Sequence, residues 1–174
     1  MRIFRVSIIV FLLVTLLGVR PIAAEQLPDR VLAERVAEVV RDYSHFGIFD
    51  DINIQVENRS VTLFGRVTMP YKRDDIEARV KKIDGIRDLT NNVAVLPVSI
   101  YDSELRERLA RAIYGNLAFR HYASMANPPI HIVVENGRVT LTGAVNSEVE
   151  KMLAYSLAQV PGAFSVRNDL KVDR

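Results

Sequence analysis

The segment Ile52 to Val67, INIQVENRSVTLFGRV, returns at Ile130 to Val145 as IHIVVENGRVTLTGAV, with ten of sixteen positions identical and no gap. A chain that carries one small unit twice folds as two like units, so the repeat constrains the architecture before any other property does. The match extends outward on both sides. Upstream, Leu32, Val36 and Val40 correspond to Leu105, Leu109 and Ile113; downstream, Ile76, Val80 and Ile83 correspond to Leu153, Leu157 and Val160. Gly85/Gly162, Asn91/Asn168 and Val95/Val172 follow in step. The offset changes from 73 to 78 to 77 residues along the chain, which places five extra residues before the second copy's first strand and one extra residue near Met69 and Pro70 in the first. Insertions of this kind belong in loops.

Residues 1–24 have the layout of a secretory signal: Arg2 and Arg5, an apolar run from Val6 to Val19, then the small-residue stretch Pro21-Ile22-Ala23-Ala24. The apolar run is shorter than the ~20 residues that cross a bilayer as a helix, which argues for cleavage near Glu25 over a retained anchor. Removing the segment takes away Arg2, Arg5 and Arg20, so a formal charge of +2 becomes 20 bases against 21 acids. The apparent pI of about 9.0 therefore belongs largely to the leader, and neither copy is a polybasic nucleic-acid binder. Cysteine is absent, which excludes disulfides, thiolate metal sites, a cysteine nucleophile and a lipid anchor on a cysteine. The expectation is a soluble periplasmic product.

Within each copy the apolar spacing predicts a helix, with Leu32, Val36, Val40 and Tyr43 in the first and Leu105, Leu109 and Ile113 in the second. Alternation then predicts a hairpin. Its strands are Ile52/Ile54/Val56 and Val61/Leu63, joined by Asn58-Arg59, with Asn136-Gly137 at the matching place in the second copy. That composition favours a type I′ turn. Thr68 and Ser147 are the expected N-caps of a second helix, Ser147 forming a capping box with Glu150. The matched glycines Gly65, Gly85, Gly143 and Gly162 read as turn positions that need positive φ or close backbone approach. A short strand near Val93 to Val95, or Leu170 to Val172, closes each unit. The predicted class is α+β: two tandem αββαβ two-layer sandwich domains, residues 29–97 and 101–173, each with a three-stranded sheet covered by two helices. Domains this small bury a core only marginally, so the copies should pack on each other.

The stretch VENGRVTLTGAV, followed by a capped helix and a Pro161-Gly162 turn, resembles the BON domain, and the whole chain resembles a dual-BON periplasmic protein. The first copy departs from the pattern with Asp84 where the second has Pro161. The resemblance covers about Asp29 to Val172. It implies export, roles in envelope maintenance or in envelope and osmotic stress, and binding to phospholipid membranes without catalysis.

The chemically active residue types agree with that absence of catalysis. His45, His121 and His131 lack metal-ligand spacing and read as solvated; Asp50-Asp51 and Asp74-Asp75 stand at element ends, where acids are common. No serine lies in a nucleophile elbow and no glycine-rich phosphate loop is present. No cofactor or metal is expected. The copies differ most in the longer second-copy loop 116–129, where Phe119, Arg120, Tyr122 and Met125 combine rings, a base and a flexible apolar chain, as an interfacial segment does. The alternative is that Phe119 and Tyr122 continue the core stripe of the helix before them. Lys151, Met152 and Tyr155 lie off the Leu153/Leu157 stripe and form a second candidate surface, for lipid or for the other copy. The leading expectation is reversible association with anionic phospholipid through the second copy. Its rival is docking of an envelope protein on a free sheet edge or face. Nucleic-acid binding fails on export and on the missing GXXG loop.

Overall fold

The computed structural model describes residues 28–173; the proposed leader lies outside them. The first copy runs α1 (Asp29–Arg41), β1 (Asp51–Glu57), β2 (Ser60–Val67), α2 (Pro70–Val80) and β3 (Asp88–Val95). The second runs α3 (Ile100–Tyr114), a 3-10 turn at Leu117–Phe119, α4 (Arg120–Ala123), β4 (Ile130–Glu135), β5 (Arg138–Val145), α5 (Glu148–Leu157), β6 (Ser165–Asn168) and β7 (Lys171–Val172).

The hairpin's second strand is central in both sheets. β1 pairs with β2 antiparallel and β3 with β2 parallel, giving the order β1-β2-β3. The second sheet repeats this as β4-β5-β6, with β7 also parallel to β5. The single closing strand expected there is thus split in two. Between the pieces the Asp169 amide donates to the Leu141 carbonyl and the Leu170 amide to the Asn168 side chain, so the break interrupts pairing without orphaning either donor. In the first copy β3 is continuous, and the corresponding Asn91 oxygen accepts from Val93.

Each sheet buries one face against its own helices. Leu32, Val36, Val40, Leu63, Ile76 and Val80 build the first core; Leu105, Leu109, Ile113, Ile132, Leu141 and Ala154 anchor the second. The turns follow their composition. Asn58, Arg59, Asn136 and Gly137 all have positive φ, as a type I′ turn requires. At Gly65 and Gly143 a Cβ would lie 2.1 and 1.9 Å from the carbonyl oxygens of Asp51 and Pro129, so glycine is needed for space as well as for φ.

Two capping expectations need correction. Thr68 does not cap α2: the N-cap is Met69, without a side-chain bond, and Pro70 begins the helix. Thr68 instead gives its amide and its hydroxyl to Asp50, at 2.8 and 2.9 Å. Ser147 does cap α5, accepting from the Glu150 amide, but Glu150 reaches back one residue further, to the Asn146 amide.

Candidate functional site

The second-copy insertion folds into the 3-10 turn and α4 instead of an open loop, and this divides the candidate residues. Phe119 and Tyr122 are buried in the second core, their rings stacked with centroids 6.1 Å apart, so neither is presented to a surface. The Tyr122 hydroxyl donates to Glu150 at 2.8 Å and accepts from the Asn146 amide. Burial first, and then the Glu150 carboxylate, raise its pKa. Arg120 and Met125 remain exposed on either side of these rings.

Met152 and Tyr155 are exposed on α5, as the spacing predicted, and Val149 joins them at 77% exposure. Sequence reasoning missed Val149 because it stands four residues before Leu153 and so reads as core. Lys151 is half-buried, and its carbonyl accepts from the Asn168 side chain. The Tyr122–Glu150 bond ties α4 to the first turn of α5, so the insertion and the Val149/Met152/Tyr155 stripe belong to one end of the second copy. In the first copy Lys72, Asp75 and Ala78 take the corresponding places on α2. Glu77 is turned toward its own helix and sheet: bonds from Lys81 and Asn91 hold its carboxyl below the usual range. A further apolar patch that the sequence did not reveal joins Ile100, Tyr101 and Phe164. Tyr101 stacks on Phe164 and donates to the Gly162 carbonyl.

Two carboxylates at equivalent positions act on the hairpin turns. Asp29 accepts from the Asn58 and Arg59 amides, and Asp102 from those of Asn136 and Gly137, all at 2.7–2.8 Å. The 73-residue offset between these aspartates was the signal that would have found them. Asn91 and Asn168 are likewise paired by role: each donates to a carbonyl of the preceding helix, of Arg73 and Lys151 respectively.

The copies meet through the segment before β1. The Ile132 amide on β4 donates to the Ile48 carbonyl at 2.6 Å, Phe49 packs against the second core, and Phe46 lies 5.2 Å from the His131 ring. His131 is therefore part of the contact between the copies, not a freely solvated side chain. Asp51 accepts from Thr142, and Arg66 pairs with Glu135 at 2.7 Å. Beside this contact opens a cleft of about 1420 Å³, bordered on one side by β1 together with Phe64, Arg66, Asn92 and Ala94 of the first sheet and on the other by the helix-free face of the second sheet. Asp50, fully buried, accepts from Gly47, from Thr68 and, at 2.6 Å, from the Lys72 ammonium. Every lone pair it offers has a use, so Asp50-Asp51 is a structural pair. Among the described residues no cluster of three or more His, Asp or Glu side chains is placed to hold a metal, and no helix is long and apolar enough to cross a membrane.

The chain is 25% identical over 154 residues to osmotically-inducible protein Y of Escherichia coli (strain K12), covering 83% of this chain and 73% of that one. Among solved structures, two of CdsD, a structural protein of the type III secretion system of Chlamydia trachomatis, align at 14% and 16% identity. Their TM-scores are 0.35 and 0.34, and each alignment covers 85% of this chain and 68% or 66% of the other. The BON domain profile matches twice, at residues 28–97 and 102–174, and with most of its length accounted for in this way the chain belongs to the BON domain family.

Proposed function

We propose that this is an exported, non-catalytic envelope protein that associates reversibly with anionic phospholipid surfaces through its second BON domain, in envelope maintenance under osmotic stress. The observation that carries the reading is the exposed Val149/Met152/Tyr155 stripe on α5, with Met125 and Arg120 at the same end. The first copy has Lys72, Asp75 and Ala78 there instead, with Lys72 held by the buried Asp50 and Asp75 by the Tyr43 hydroxyl, so it presents no matching apolar stripe. An interfacial helix needs an apolar face to enter the headgroup boundary and nearby bases to meet phosphate; α5 supplies the first, Arg120 and Lys151 the second. The osmotic context rests on the similarity to the inducible protein of Escherichia coli.

Sedimentation of the full chain with liposomes, with and without phosphatidylglycerol, tests the reading. Binding should require the anionic lipid and weaken as salt rises. Replacing Val149 and Met152 together by glutamate should lower the bound fraction about tenfold or more, because two apolar insertions are lost. Absence of binding at low salt, where headgroup attraction is greatest, removes the proposal.

A further inference from the structure

The outer edges of β1 and β4 are equivalent by the repeat, and only one of them is closed. A two-residue turn makes the flanking pair Glu57/Ser60 hydrogen-bonded, so the backbone groups of Ile52, Ile54 and Val56 point away from β2, as those of Ile130, Ile132 and Val134 point away from β5. On β4 four of these six groups are used. The Tyr114 hydroxyl serves both the amide and the carbonyl of Ile130, the Ile132 amide bonds Ile48, and Arg106 donates to the Val134 carbonyl at 2.7 Å. On β1 no described residue bonds the outward groups of Ile52, Ile54 or Val56, and the places of Arg106 and Tyr114 are taken by Ala33 and Arg41. Burial records the difference: Ile130, Ile132 and Val134 are each 0% exposed, whereas Ile52, Ile54 and Val56 are only half-buried.

We propose that the outer edge of β1 is a docking site for an extended segment of a partner protein, which adds to the first sheet as a further strand inside the cleft between the copies. The chain itself shows the kind of occupant such an edge accepts. Along β4 lies the Gly47–Phe49 segment, which gives a carbonyl to the edge and sets an aromatic side chain against the core beside it. The cleft has Ala37, Val40 and Phe46 on the helix side of β1 and Thr140 and Thr142 on the opposite sheet, so an added strand meets apolar groups on one face and polar groups on the other. Asp51 and Glu57 at the two ends of β1 favour basic residues at the ends of the incoming segment. The same two acids disfavour a second copy of this chain, because antiparallel pairing of β1 with itself about Ile54 sets Asp51 opposite Glu57. The partner segment is thus an extended one with apolar residues at alternate positions and basic ends.

The test uses the full chain and a fluorescent peptide, Thr-Lys-Val-Thr-Phe-Thr-Val-Lys-Thr, whose lysines share the face of Asp51 and Glu57 when Phe stands opposite Ile54, with a control N-methylated at every backbone amide. Anisotropy should report binding of the first peptide alone. Amide hydrogen exchange at Ile52, Ile54 and Val56 should slow about tenfold or more in its presence, while Ile132, already bonded, should not change. Ala33→Arg with Arg41→Tyr copies the second copy's closure onto β1 and should weaken binding about tenfold or more; if that variant fails to fold, exchange in the unaltered chain decides alone. Binding without protection of the three amides, equal binding by the folded closed variant, or no binding at millimolar peptide overturns the proposal. Protection that appears with protein concentration in the absence of peptide also overturns it, by assigning the edge to self-association.

Discussion

Where the second helix of each copy begins, an inward-pointing amide needs an acceptor, and the two copies answer with different atoms. In the first, Thr68 gives its amide to Asp50, a buried carboxylate neutralised by Lys72. In the second, Asn146 gives its amide to the Tyr122 hydroxyl and to Glu150. The first solution buries a charge pair and depends on both members. The second uses the insertion to bring in a neutral hydroxyl, leaving the carboxylate nearer to water. A duplicated scaffold can therefore keep its backbone while the polar chemistry at its joints diverges.

Substitution should expose this asymmetry most strongly at Asp50. Asp50→Ala leaves the Lys72 ammonium nearly buried and unpaired and should cost about 3–5 kcal/mol, against about 1–2 kcal/mol for Tyr122→Phe in the second copy. Urea denaturation measures both, and equal costs would erase the contrast. Next in size, Phe49→Ala removes an aromatic ring packed on the neighbouring core and should cost about 2–3 kcal/mol. Calorimetry should then resolve two transitions; one unshifted transition would mean that the copies do not rely on this contact. A smaller contrast separates the turn clamps. Asp102→Ala, at a buried carboxylate, should cost about 2 kcal/mol, and Asp29→Ala, at a partly exposed one, about 1 kcal/mol.

The smallest effect is alkaline. Burial and the Asp75 bond push the Tyr43 hydroxyl up to about 12, and Tyr114 and Tyr122 are shifted in the same direction, chiefly by burial. For a raised folded-state pKa the stabilising contribution is complete below the unfolded value of about 10 and is lost as pH climbs through the folded value. Stability should therefore fall between about pH 10 and 12, and tyrosinate absorbance of the folded chain should lag behind that of the urea-unfolded chain. In Tyr43→Phe that loss should diminish for the first copy and persist for the second.

Much of the scaffold was legible because it depends on short-range rules. The repeat, the helical spacing of Leu32/Val36/Val40, the alternation in β1 and β4 and the glycine turns each specify local geometry. What escaped was set by long reach. Asp50 was readable as an acid at a strand end, but its partner Lys72 lies 22 residues away and displaced the cap expected from Thr68. For Phe119 and Tyr122 the sequence left an interfacial and a core reading open, and the insertion folding back over the second core decides for the core. The closure of β4 by Arg106 and Tyr114 was invisible for the same reason: both residues occupy exposed-looking helix positions until the strand beside them is known.

The Ile48–Ile132 bond and the seat of Phe49 have a practical consequence for dividing the molecule. A cut in the linker would yield a second half with a strand amide uncovered and a groove where an aromatic ring had been, and a first half with that ring in water. The fragments would be new proteins, prone to stick to themselves or to whatever is offered, and a lipid or peptide captured by one of them would report the cut surface. Experiments on the individual copies are better made by point substitution within the intact chain.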